Sequence, residues 1–481
     1  MNTDASWPDL FEAEQRVLEI QTKLHQWAIA SPDRQFGDLF NLVADPAFLT
    51  VAWARVRGNR GARTAGIDGV KPRSIVFGTA TLLPTLRDDL KTGQFRPLPV
   101  REKLIPKKGG KLRGLGIPTA RDRCVQASLK LVLEPIFEAD FKPCSHGFRP
   151  RHRAQDAIAE IHHFTSRSYE WIVEGDIKAC FDEIDHTALM DRVRDRIGDK
   201  RVLRLVKAFL KAGVLSEDGV ERDTVTGTPQ GGILSPLLAN VALSALDEHF
   251  VGVWEKAMSP SWRREARRRK GLANYRLVRY ADDWVLMVAG DRADAERLRS
   301  EAATVLSTMG LRLSEEKTRI THIDEGFDFL GVRIQRHQRW GSKQRFVYTY
   351  PTRAALASVK AKVKTIASRR STYQSLAVLI HRLNPVLRGW VNYHRHGASS
   401  KTFAYLGAYT WRRVWLWLRT KHRKVNTKDL RRRHLNGWWP EQEGAVLFNP
   451  ATVAITRYRY RSDIATPWVQ TIEAALDSGL R

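Results

Sequence analysis

The sequence is poor in cysteine, short of acids relative to bases, and without a long apolar run. Its only cysteines are Cys124, Cys144 and Cys180, all in the first half of 481 residues. Three scattered thiols build neither a disulfide framework nor a four-cysteine zinc site. No apolar stretch approaches the roughly 18–20 residues needed to span a bilayer, so no membrane partner is expected. The first residues, MNTDASWPDLFEAEQRV, begin with acids and lack a basic start and an apolar core. They do not read as a secretory signal, and a cytoplasmic protein is expected.

What is abundant is positive charge. Lys and Arg number 80 against 52 Asp and Glu, a formal net charge of +28 with a pI near 10.3. Such a field attracts polyanions, and nucleic acid, with a nucleoid-associated location, is the expected partner. The 43% hydrophobic content suffices for a sizeable core and excludes a disordered chain.

Residues 1 to about 44 read as amphipathic helix. The segment 101–118, REKLIPKKGGKLRGLGIP, is two short apolar strands around a Lys/Gly loop, hence a β-hairpin, followed by a helix over 121–140. From 171 to 335 strand and helix signals alternate: WIVEGDI is a strand ending in an acid, and YRLVRYADDWVLMVAG is two strands with a tight turn. DRADAERLRSEAATVLSTMG is a helix closed by Gly310. After Pro351 the strands vanish and three helices are expected, near 352–370, 375–396 and 400–422. The basic insertion WRREARRRKG, 262–271, is either a solvated face or a phosphate contact.

The turn of YADDW sets Asp282 beside Asp283 between apolar strands. Two adjacent acids repel and pay for desolvation there unless a divalent cation joins them, and oxygen donors suit Mg²⁺. An isolated Tyr-x-Asp-Asp is weak, because a surface turn carries the same letters. Here it follows EGDIKACFDEIDH (174–186) and GTPQGGILSPLLANVAL (227–243), and precedes GLRLSEEKTRI (310–320) and FDFLGV (327–332). In this order the five boxes resemble the palm motifs of reverse transcriptases. RGNRGARTAGIDG, IPKKGGKLRGLGIPTARDRCVQASLKLVLEPIFEADF, SHGFRPRHRAQDAI and LNPVLRGWVNYHR resemble the flanking boxes of bacterial group II intron-encoded reverse transcriptase/maturases.

The resemblance implies an α+β right-hand polymerase. Residues 1–170 would be an N-terminal extension and fingers, 171–350 a palm with an antiparallel sheet, 351–422 an α-helical thumb or maturase (X) domain, and 423–481 a basic DNA-binding region. It implies RNA-directed DNA synthesis from dNTPs with two Mg²⁺ ions. Asp176, Ile177 and Asp282 are the metal positions, and Asp283 is auxiliary or a structural hydrogen-bonding group. Phe181 is the aromatic gate that would favour dNTPs, or else a core phenylalanine. Gln230 resembles the residue that contacts nucleotide and template. Lys107 and Arg113 would clamp the triphosphate, with Lys108 and Lys111 as competitors. Lys317 resembles the lysine that would protonate pyrophosphate, or is a surface lysine. His146 is read as structural.

The implied partners are group II intron RNA, an RNA template with a DNA primer, and target DNA. Arg57, Arg60, Arg63, Arg149, Arg388, Arg395, Arg412, Arg413 and Arg419 are the RNA-binding candidates. Trp390, Trp411, Trp415 and Trp417 are expected mostly in the helical core. Relatives often end in a zinc-containing HNH endonuclease with paired cysteines. No cysteine follows Cys180, so that module and its strand cleavage are not expected, and priming would use another strand, such as nascent DNA. A splicing-only maturase and a domesticated reverse transcriptase are the competing expectations.

Overall fold

The strand Trp171–Asp176 carries apolar residues on both faces and lies inside a four-stranded antiparallel sheet. The order is Asn274–Tyr280, Asp283–Ala289, Trp171–Asp176, Arg319–His322. Side chains alternate across a pleated strand, so each face feeds a different core. Val173, Leu277, Trp284, Leu286 and Val288 enter the larger one, against helices Ala120–Glu138, Ser235–Ala257 and Arg292–Ser307. Ile172, Val278, Val285 and Met287 enter a smaller one, with helix Ala154–Thr165 and a second antiparallel sheet, Phe327–Phe329, Val332–Gln338 and Arg345–Pro351. The computed structural model describes residues 7–469 except 77, 107–111, 217–219, 223, 225 and 229.

The chain is α+β, as expected. The hairpin forms from Val100–Pro106 and Leu112–Ile117, and its tip, with Lys107, Lys108 and Lys111, lies outside the described residues. The N-terminal helix spans Leu10–Ala30 with an Asp9/Glu12 capping box. Helices Arg353–Ile366, Leu376–His394 and Ser400–Lys421 sit close to the expected ranges. The side chains of Thr352 and Ser375 cap the first two.

One expectation about the C-terminal part needs correction. Strands do not end at Pro351: Leu435–Asn436, Trp439–Gln442 and Ala445–Val446 make a small antiparallel sheet. Leu430, Ala445 and Leu447 then share one core with Leu379, Leu383, Val414 and Trp417, so that core runs past residue 422 without a break.

Residues 453–469 run back over the rest of the molecule as an extended strap. Thr456 bonds Arg395 through main chain and side chain, and the Tyr458 ring meets His396. Arg461 pairs with buried Asp156 at 2.6 Å, and Tyr460 packs on His163. Trp468 is buried against His25, its indole N–H directed at Gln21 of the N-terminal helix. These aromatics are spent on internal packing. Among the described residues, no helix is long and apolar enough to cross a membrane.

Candidate active site

The register of the central strands brings the acids together. Asp176 is the cross-strand partner of Asp283, and Tyr280 is paired to Asp283 across a two-residue turn, Ala281–Asp282. Directly opposed residues have Cβ atoms about 4.5–5.5 Å apart and share a face. Thus Asp283, rather than Asp282, faces Asp176 directly, while Asp282 sits at the tip of the turn. Ala281, at the first central position, has φ +58°, where glycine is favoured.

A cleft of about 170 Å³ opens on this face, lined by Glu174, Asp176, Asp283, Lys317, Asp328 and Leu330, among others. Lys317 Nζ is 2.8 Å from Asp176 Oδ2. Asp283 opens to the cleft yet begins an inner strand and is hemmed in by its neighbours. That desolvation, then the charges of Asp282 and Asp176, push its carboxyl up to about 6, against the pull of Lys317. Burial first, and then the Asp282 charge, push the Cys180 thiol up to about 12, so Asp282 also acts on the helix that carries Phe181.

Asp283 therefore carries a testable cost. Its folded pKa lies above its ordinary value, so the ionised carboxylate destabilises the fold at neutral pH, and the cost fades as pH falls from about 6 to 4. Asp283→Asn is expected to raise stability at pH 7.5 by about 1 kcal/mol after discounting for solvent screening. The gain should vanish near pH 4 in urea melts. An equal gain at both pH values would disprove the like-charge explanation.

Among the described residues, no group of three or more His, Cys, Asp or Glu side chains forms a cage for a metal ion. Mg²⁺ commonly binds through one or two carboxylates plus substrate phosphates, without an all-protein cage. Mutually repelling carboxylates beside an open cleft fit that donor set. Just beyond Asp176, Ile177 is buried and bridged to Leu313, with flanking bonds from Ser314 N to Asp176 O and from Lys178 N to Arg312 O. The backbone at Ile177 is therefore held in place beside the acids.

The remaining nucleotide candidates gather beside this point. Phe181 is the second residue of the short helix Cys180–Glu183, 9% exposed and part of the larger core. Its carbonyl accepts from Thr228 N at 2.6 Å, and Gly227, φ +82°, has no room for a Cβ against it. Arg113, exposed on the hairpin, donates to Gln230 Oε1, and Gln230 donates to Asp182 Oδ2 at 2.9 Å. Gly116 N donates to the Gln230 carbonyl. Hairpin, glycine-rich loop and the start of the Phe181 helix are thus tied together.

The basic candidates divide. Arg57, Arg60, Arg63, Arg388, Arg412 and Arg419 are exposed. Arg149 is corrected: its side chain is 6% exposed, paired to Glu138 and bonded to the Lys142 and Ser145 carbonyls, so it cannot reach a template. Arg395 and Arg413 are half-buried and bonded to Thr456 and to the Ala367 carbonyl. His146 is buried on Glu160 at 3.0 Å, a structural pair.

Trp417 is buried and Trp390 packs on the helical core, as expected. Trp415 also packs on that core, and it stacks on half-buried Trp411, centroids 5.9 Å apart. Arg431 lies over Trp415 and, at 4.7 Å, over Trp438, which is 67% exposed. Sequence reasoning missed this ladder, because tryptophans four apart on a helix read as core.

Residues 105–334 match the family described as reverse transcriptase (RNA-dependent DNA polymerase). Residues 356–438 match the group II intron, maturase-specific domain. The chain is 37% identical over 360 residues to Protein YkfC of Escherichia coli (strain K12), covering 70% of this chain and 93% of that protein. It is 34% identical over 356 residues to group II intron-encoded protein LtrA of Lactococcus lactis subsp. cremoris, covering 63% and 58%. A 91 kDa protein in the cob intron of Schizosaccharomyces pombe is 30% identical over 410 residues, covering 74% and 50%. The chain therefore spans nearly all of the first relative and only about half of the other two.

Proposed function

From the premise that this chain belongs to the group II intron-encoded reverse transcriptase/maturase family, we propose that it copies RNA into DNA at the Asp176–Asp282–Asp283 cluster and assists splicing of the intron RNA it binds. The observation that carries this reading is the strand register that opposes Asp176 to Asp283 beside the Asp282 turn. Asp176 and Asp282, with the backbone at Ile177, would hold a pair of Mg²⁺ ions, and Asp283 would support them. When bound, such ions supply positive charge to the attacking and leaving oxygens of phosphoryl transfer.

The chain's own groups do the rest. Arg113 and Lys107 draw the dNTP triphosphate in, and Gln230 positions the nucleotide against the template. Lys317, held at Asp176, is in place to give a proton to pyrophosphate. The Phe181 ring excludes a 2′-hydroxyl. Primer extension on poly(rA)/oligo(dT) tests the reading, and a metal-replete full chain that incorporates no dTMP would overturn it. Phe181→Ala is expected to relax dNTP over NTP preference by roughly tenfold or more, since the discrimination is steric; unchanged selectivity would leave Phe181 a core residue only.

Residues 1–170 are assigned to an N-terminal extension and fingers, 171–350 to the palm, 351–422 to the thumb or maturase (X) domain and 423–481 to DNA contact. Support comes from the exposed arginines Arg57, Arg60, Arg63, Arg388, Arg412 and Arg419, and from the Trp438–Arg431 ladder, which offers stacking faces to unpaired bases. Retrohoming by target-primed synthesis would follow. RNA affinity should drop by about two orders of magnitude between roughly 50 and 200 mM salt. Alanine at Arg57, Arg60 and Arg63 should make that slope shallower, and an unaltered slope would remove those three from the interface.

A further inference from the structure

Arg279 lies within the strand that leads into the acidic turn, yet it is 0% exposed. A buried guanidinium needs partners for all five N–H groups. Here each is used. Nε and Nη2 grip the two Asp247 oxygens, and Nη2 also donates to Ser145 Oγ at 2.7 Å. Nη1 donates to Asn240 Oδ1 and to the Ala281 carbonyl, both at 2.9 Å. Three parts of the chain, helix Ser235–Ala257, the 144–147 segment and the turn itself, therefore meet on one side chain.

The 144–147 segment does more than accept a bond. Arg279 N donates to the Cys144 carbonyl, and His146 N donates to the Arg279 carbonyl, both at 2.8 Å. This parallel bridge lays Gly147 against the turn, where an added Cβ would fall 2.1 Å from Ala281 N. Asn240 Nδ2 closes the loop by donating to the Gly147 carbonyl at 2.8 Å. The His146–Glu160–Arg276 pairs anchor the same segment from behind. Ala281 is thus held at φ +58° from both sides, by a bond to its carbonyl and by backbone against its nitrogen. An alanine pays for that conformation, and strain of this kind persists only where the surroundings enforce it.

We propose that Arg279 is a positioning residue for catalysis: clamped by Asp247, Asn240 and Ser145, and backed by Gly147, it forces the strained Ala281 turn that sets Asp282 and Asp283 against Asp176. The inference rests on the polymerase reading of those acids. It gives the Ser-His-Gly motif a role as a strut and assigns Asn240 and Ser145 a share in holding the turn.

The test uses the purified full chain in primer extension on poly(rA)/oligo(dT), with Ser145→Ala, Asn240→Ala and Arg279→Lys. Arg279→Lys risks misfolding, so the two peripheral variants carry the test, each accepted only with a melting temperature close to wild type. The expected result is RNA affinity and dTTP KM within about threefold of wild type, kcat lower by roughly 10–100-fold, and several-fold more Mg²⁺ needed for half-activation. Adding Ala281→Gly to Asn240→Ala should restore most of the lost kcat, because glycine takes a positive φ without being held there. A residue that only stabilises the fold would not be rescued this way. Wild-type kcat and Mg²⁺ requirement in both folded variants, or no rescue by Ala281→Gly, would overturn the inference. Failure of the wild type to extend the primer would instead overturn the polymerase reading.

Discussion

Asp282→Ala is expected to lower primer extension on an RNA template by at least about a thousandfold, with RNA affinity changed by no more than about twofold. The turn is rigid: Ala281 is buried, and its carbonyl is tied to Arg279. Neither neighbouring acid of the cluster is free to take the place of Asp282. Asp176 is already paired with Lys317, and Asp283 faces the cleft from the neighbouring strand position. The exposed arginines that would carry RNA lie on the 57–63 segment and on helices Leu376–His394 and Ser400–Lys421, away from the turn in sequence. The fold should not suffer, since removing Asp282 relieves repulsion on Asp283. Extension and filter binding measured on the same preparation separate the two effects. Activity within tenfold of wild type would show that Asp282 holds no essential part of the site.

Gly175→Ala is expected to destabilise the chain by about 2–3 kcal/mol and to disable synthesis as well. A Cβ at Gly175 would lie 2.0 Å from the Trp284 indole. That ring is 1% exposed within the larger core. Relief requires the paired strands to shift, and the residues next along them are Asp176 and Asp283. One added methyl should therefore reduce stability and carboxylate alignment together. Gly252→Ala is the comparison: it is in a helix with nothing within 4 Å of the new atom, and should gain up to about 1 kcal/mol. Urea unfolding of both variants measures this directly. A loss below about 0.5 kcal/mol for Gly175→Ala would mean that the sheet yields more easily than its packing implies.

Much of this site was legible because its signals are local. The apolar strand ending in Asp176, the two-residue turn at Asp282 and the helix closed by Gly310 each follow from short-range periodicity and turn chemistry. The three helices after residue 352 were legible for the same reason. What the sequence hid depends on pairing across long separations. Strand identity did not reveal that the register opposes Asp176 to Asp283 instead of Asp282. Arg149 read as a base free to meet RNA, and only the fold seats it on Glu138. Nothing local marks Arg279 for burial, because its partner Asp247 lies 32 residues away on a helix. The strap was the hardest to foresee. Tyr458 and Tyr460 alternate with arginines and read as a basic surface, and Trp468 finds Gln21 across 447 residues of chain.

The claim on which all of this depends is that acids far apart in the sequence share one divalent-metal site. Mn²⁺ binding to the full chain with primer–template and a non-hydrolysable dNTP, followed by electron paramagnetic resonance, tests it most directly. Bound Mn²⁺ should be lost or sharply weakened in both Asp176→Asn and Asp282→Asn. Undiminished Mn²⁺ binding in either variant would contradict the account.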